Sequence, residues 1–67
     1  MKLSHQSIRH DGKTWTVGQH VRIPSLEYKG LITSLWPATG TKPAFAHVKR
    51  EGDIYPRAVT LDKLEAL

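Results

Sequence analysis

The sequence predicts an all-β domain: a small barrel of about five strands, preceded by an N-terminal β-hairpin extension and closed by a short C-terminal helical turn. Three observations lead there. Five glycines and four prolines punctuate the 67 residues at short intervals, which leaves little room for a long helix. The segments between them alternate apolar and polar residues and carry β-branched and aromatic side chains, as half-buried strands do. The chain is long enough for one domain only, with about 60% of its unfolded surface available for burial. With no cysteine, disulfides and thiolate metal sites are excluded, and stability has to come from packing or from self-association.

Residues 1–7 are expected to be a flexible N-terminus and residues 8–67 the domain. Ile8 to Val17 reads as a hairpin about Asp11-Gly12, a pair suited to a two-residue turn whose central positions both need positive φ. Trp15 and Val17 fall on one face of its second strand, so the hairpin either completes the core through Trp15 or forms an interface. His20-Val21-Arg22-Ile23 is the next strand, ended by Pro24, which has no N–H to donate to a ladder. Ser25 to Lys29 reads as a loop, although Leu26 and Tyr28 are bulky for one.

Gly30 is expected to open a central strand ending at Trp36, before Pro37. Strict alternation there puts Leu31, Thr33 and Leu35 on one face and Ile32, Ser34 and Trp36 on the other. A long loop follows to Pro43. In Ala44 to Arg50 the residues Ala44, Ala46 and Val48 suit the inside, leaving Phe45, His47 and Lys49 outside. Glu51-Gly52-Asp53 turns the chain into a strand from Ile54 to Val59. Leu61 and Leu64 recur at helical spacing ahead of a short terminal strand.

The order from Gly18 onward, and the pattern Gly18-x-x-Val21-x-Ile23, Lys29-Gly30-x-Ile32, Ala46-x-Val48 and Leu61-x-x-Leu64, resembles the SH3-like barrels. That resemblance covers about fifty residues and concerns fold, not function. A narrower likeness lies in Gly18-Gln19-His20-Val21-Arg22, Tyr28-Lys29-Gly30-Leu31-Ile32 and Ile54-Tyr55-Pro56, which look like parts of the plasmid-borne type II dihydrofolate reductases. The likeness implies a tetramer with one central pore, lined in that family by a Gln-Ile-Tyr segment and charged by a lysine after the Val-Arg pair. Here Ile54 and Tyr55 match, but Asp53 stands for the glutamine and Ile23 for the lysine. Both departures make a pore less suited to an acidic folate and a phosphate-bearing cofactor.

Catalytic and metal signatures are weak. The four histidines, His5, His10, His20 and His47, lack the short spacing of a structural zinc site. Ser4, Ser7, Ser25 and Ser34 have no nucleophile-elbow context, and no glycine-rich phosphate loop occurs. Glu51 and Asp53 flank a turn glycine, where carboxylates serve solubility and turn geometry. The expectation is therefore a protein that is not an enzyme and carries no cofactor and no metal.

Charge gives the positive argument. The formal net charge is +4, and residues 1–50 hold eight Lys and Arg against Asp11 and Glu27, a balance of +6. A basic body of this kind attracts nucleic acid or an acidic protein face. Arg22, Lys29, Lys49 and Arg50 are the candidate phosphate contacts, with Tyr28 or Trp36 as the stacking platform. The expected partner is DNA or RNA; the alternative is an acidic protein, and a homo-oligomer fits the small core. A proline-peptide groove of SH3 type is disfavoured, because Ser25 to Lys29 holds one aromatic and one acid only. No apolar run nears the roughly 20 residues of a membrane span, and the N-terminus lacks the apolar stretch of a secretory signal. Cytoplasmic residence without membrane attachment is the expectation.

Overall fold

The first hairpin forms where its turn residues dictate. In the computed structural model, which describes residues 6–67, β1 (Ser7–His10) pairs antiparallel with β2 (Lys13–Thr16) through Asp11 and Gly12. Both turn residues have positive φ, 52° and 77°, a conformation that Asp tolerates and Gly adopts freely. The expectation of a flexible N-terminus falls on residues 1–5, which lie outside the described residues, and on two more that belong to the hairpin. The Gln6 carbonyl accepts a hydrogen bond from the Val17 N–H at 2.9 Å, and Ser7 pairs with Thr16. Trp15 enters the core and is fully covered, with Ile8 and Val17 packed at the margin. The hairpin thus completes the core.

The other strands make one five-stranded antiparallel sheet in the order β6-β5-β4-β3-β7. They are β3 (His20–Ile23), β4 (Tyr28–Trp36), β5 (Phe45–Lys49), β6 (Arg57–Thr60) and β7 (Glu65–Ala66). Short 3-10 turns at Pro24–Leu26 and Leu61–Lys63 link β3 to β4 and β6 to β7. An all-β chain with a central five-stranded sheet, a two-stranded hairpin and a short C-terminal helical turn is what the composition predicts. A five-stranded sheet and a hairpin sharing one core are compatible with a small barrel.

That core alternates along each strand. Val21 and Ile23 of β3, Ala46 and Val48 of β5, and Val59 of β6 are buried, with Leu61 and Leu64 closing the end. In β4 the alternation changes phase. Ile32 pairs with Val48 and Ser34 with His47, so β4 spends two residues where β5 spends one. Thr33 is the extra residue of this β-bulge, and its hydroxyl donates to the His47 carbonyl at 3.2 Å. Strict alternation therefore fails at Leu35: Ile32 and Leu35 are both buried, and Ser34 and Trp36 stand on the outer face.

Two further expectations change. Tyr28 opens β4 and is buried, so the loop ends before it; Glu27, at φ 50°, makes the turn from the 3-10 segment into the strand. The last long strand begins at Arg57, and Ile54 and Tyr55 remain in a loop, each 81% exposed.

Candidate functional site

Three strands bring their outward residues into one row. His20 of β3 sits across from Leu31 of β4, and Leu31 across from Lys49 of β5. Directly opposed residues lie about 4.5–5.5 Å apart at Cβ, so these side chains share one surface. Lys29, two positions before Leu31, projects to the same side and pairs with Arg22 of β3. An open groove of about 680 Å³ runs over this surface, with Lys29, Lys49 and Arg50 around the half-exposed Leu31. Leu67 forms an apolar edge, and Glu51 is the carboxylate on the rim. Gly30 shapes the floor: a Cβ there would stand 2.6 Å from the Lys49 carbonyl oxygen, so only glycine lets β4 approach β5 this closely.

Arg22 lies beside the groove rather than in its wall. Its guanidinium is 3.7 Å from the Glu65 carboxylate on β7, an exposed pair that lowers the local positive field.

Beyond Arg50 the surface continues into a second pocket of about 610 Å³, bounded by Tyr28, Arg57 and the loop through Ile54 and Tyr55. Here Tyr28 is a structural centre. Its hydroxyl donates to the Asp53 carboxylate and accepts from the Arg50 backbone N–H at 3.1 Å. Arg50 also reaches Asp53, at 3.4 Å, and its guanidinium carbon lies 4.8 Å from the centre of the Tyr28 ring. The Arg57 guanidinium carbon lies 5.3 Å from the same ring centre. The Tyr28 hydroxyl foremost holds the Asp53 carboxyl below the usual carboxylate range; desolvation opposes it, and Arg50 adds to the lowering.

A third cluster occupies the outer face past the bulge. Trp36 stacks on Phe45 with ring centres 6.1 Å apart and planes 13° from parallel. The His47 ring meets Phe45 and Trp36 edge-on, and its Nδ1 lies 2.8 Å from the Ser34 hydroxyl oxygen. That oxygen also accepts from the Trp36 indole N–H at 3.2 Å.

Of the residues singled out from sequence, Lys29, Lys49 and Arg50 converge, and Arg22 adjoins them through its pairing with Lys29. Trp36 is half-buried in the separate aromatic cluster. Tyr28 departs from expectation: it is 5% exposed and faces two guanidiniums, so it anchors the site and offers no platform for a base. Sequence reading missed Arg57, Asp53 as the partner of Tyr28, and the Ser34–His47 pair. Two-residue spacing of Phe45, His47 and Lys49 was the signal available for the outer face of β5.

Among the described residues, no group of three or more His, Cys, Asp or Glu comes together as a metal ion would need. No described helix is long and apolar enough to cross a membrane. Comparison with protein-family models, with curated proteins and with solved structures returned no match.

Proposed function

We propose that this chain is a small, non-enzymatic binding module that holds single-stranded nucleic acid by its phosphates along the Lys29–Lys49–Arg50 groove. The observation that carries the reading is the convergence of these three cations around Leu31, although they come from different strands and from a loop. A second feature extends it. The outer face of β5 runs from Lys49 through His47 to Phe45, a span of about 14 Å at strand rise, from a charged end to an aromatic one. Phosphates bind cations and bases stack on aromatic faces, so such a strip suits a short stretch of single strand. Trp36, stacked on Phe45, enlarges the aromatic end.

Titration of a labelled oligothymidylate by fluorescence anisotropy tests this. Binding is expected at low salt, with log affinity falling linearly in log salt at a slope near −0.7 per phosphate neutralised. Lys29→Gln and Lys49→Gln each weaken binding and reduce the slope by about that amount. No binding at low salt to DNA or RNA removes the reading.

A protein partner is the second reading, favoured by Ile54 and Tyr55, which stand 81% exposed beside Arg50 and Arg57. An acidic partner with an apolar anchor fits that combination. Its complex resists nuclease and is lost in Tyr55→Ser. The likeness to type II reductases demands a symmetric tetramer and cofactor-dependent turnover, and a monomer in sizing chromatography disposes of it.

A further inference from the structure

The Tyr28 ring carries two guanidiniums, and only one of them is neutralised. Arg50 is paired with Asp53, whereas Arg57 makes no ion pair among the described residues. Their guanidinium carbons lie 4.8 and 5.3 Å from one ring centre, so they are no farther apart than the sum of those distances. Both arginines line one pocket, so an anion that enters it is attracted by both guanidiniums. Asp53 does not fill that role for both. Its carboxylate already accepts from Tyr28 and from Arg50, which fixes Arg50 and leaves Arg57 to meet a ligand from the pocket side.

Arg50 also lines the cationic groove, so one side chain borders both the pocket and the groove. The loop from Gly52 to Pro56 walls the far side of the pocket. We infer that the pocket between Arg50 and Arg57 receives the terminal phosphate of a nucleic-acid strand lying in the groove. This rests on the reading of the groove given above.

The chemistry selects an end over an internal link. A terminal phosphate monoester carries about −1.5 to −2 charge near neutral pH and offers three acceptor oxygens. An internal diester carries a single negative charge and two free oxygens. Guanidinium forks match the monoester by paired hydrogen bonds, and Tyr55 at the rim offers an aromatic face to the terminal base.

The experiment compares oligothymidylates of about eight nucleotides, within the usual site size, bearing a 5′-phosphate, a 3′-phosphate or hydroxyls at both ends. One of the phosphorylated forms is expected to bind about tenfold more tightly than the hydroxyl form, the gain of a charge-assisted contact. Millimolar inorganic phosphate cancels that gain without displacing the hydroxyl form. Arg57→Gln, checked for native circular dichroism, abolishes the gain, and Arg57→Lys retains part of it. Lys29→Gln weakens all forms equally and keeps their ratio. Equal binding of all three oligonucleotides overturns the inference and leaves the groove intact. Binding of none overturns both.

Discussion

The hydroxyl of Tyr28 donates to the carboxylate of Asp53, 25 residues later in the chain, and so ties the start of β4 to the loop that precedes β6. The same oxygen accepts from the Arg50 backbone, making one phenol the brace for the turn between β5 and β6. Removing the hydroxyl loosens that turn and frees Asp53. Because the folded-state carboxyl is held below its unfolded value, its contribution to stability is present above about pH 4 and lost as pH falls through the lowered folded value. Tyr28→Phe is therefore less stable than the wild type at neutral pH, and the difference shrinks as the solution is acidified. Urea midpoints measured at several pH values check this; a difference independent of pH contradicts it. The Asp62 carboxyl is also lowered, chiefly by the Thr60 hydroxyl, so the comparison between the two proteins is the informative quantity.

Gly30 yields a prediction about packing. An added methyl meets the Lys49 carbonyl oxygen at 2.6 Å and the Val48 side chain at 3.0 Å. The carbonyl is backbone within the β4–β5 ladder and moves only with the sheet. Gly30→Ala is expected to cost about 1–3 kcal/mol, the usual range for overpacking, and to disturb the groove floor. Thermal or urea unfolding measures the cost, and a neutral effect would show that the two strands are not so closely apposed.

Trp15 is covered, yet its indole N–H has no protein partner. Two effects therefore oppose each other in Trp15→Phe: some apolar burial is lost, and an unsatisfied donor costing about 1–3 kcal/mol is removed. The substitution is expected to cost less than about 1.5 kcal/mol, whereas Trp15→Ala costs about 3–5 kcal/mol by leaving a large cavity. A clearly larger loss in Trp15→Phe would mean that the donor is satisfied.

Deleting Thr33 tests the bulge. Without the extra residue, Ile32, Ser34, Leu35 and Trp36 follow one another in strict alternation and keep their β5 partners, so Leu35 stays buried and only the local bend of the bulge is lost. Cooperative unfolding is therefore expected to persist, and its loss would show that the sheet needs the bend at Thr33 to enclose the core. Thr33→Ala, which keeps the residue count and loses only one exposed hydrogen bond, should cost less than about 1 kcal/mol.

Much of the fold was legible because local chemistry and burial agree. Asp11-Gly12 specifies its turn, Pro24 and Pro37 follow the ends of strands, and Ala44, Ala46 and Val48 keep strict alternation. Where a long-range contact overrides the local signal, the sequence is silent. Tyr28 reads as an exposed aromatic among charges until Asp53 and Arg50 reach it from the turn between β5 and β6. Ile54 and Tyr55 have the composition of a strand but stand next to Pro56 and find no ladder. The candidate groove was half legible: its cations could be named, but their meeting around Leu31 depends on strand register.

The bulge also sets how the outer surface can diversify. Before Thr33 the odd-numbered residues of β4, Lys29 and Leu31, face outward; after it the even-numbered ones, Ser34 and Trp36, do. Cationic groove and aromatic cluster thus draw on opposite parities of a single strand. Each can be rewritten on its own parity without touching Ile32 or Leu35 beneath, which makes β4 two adjacent, separately programmable display surfaces on one backbone.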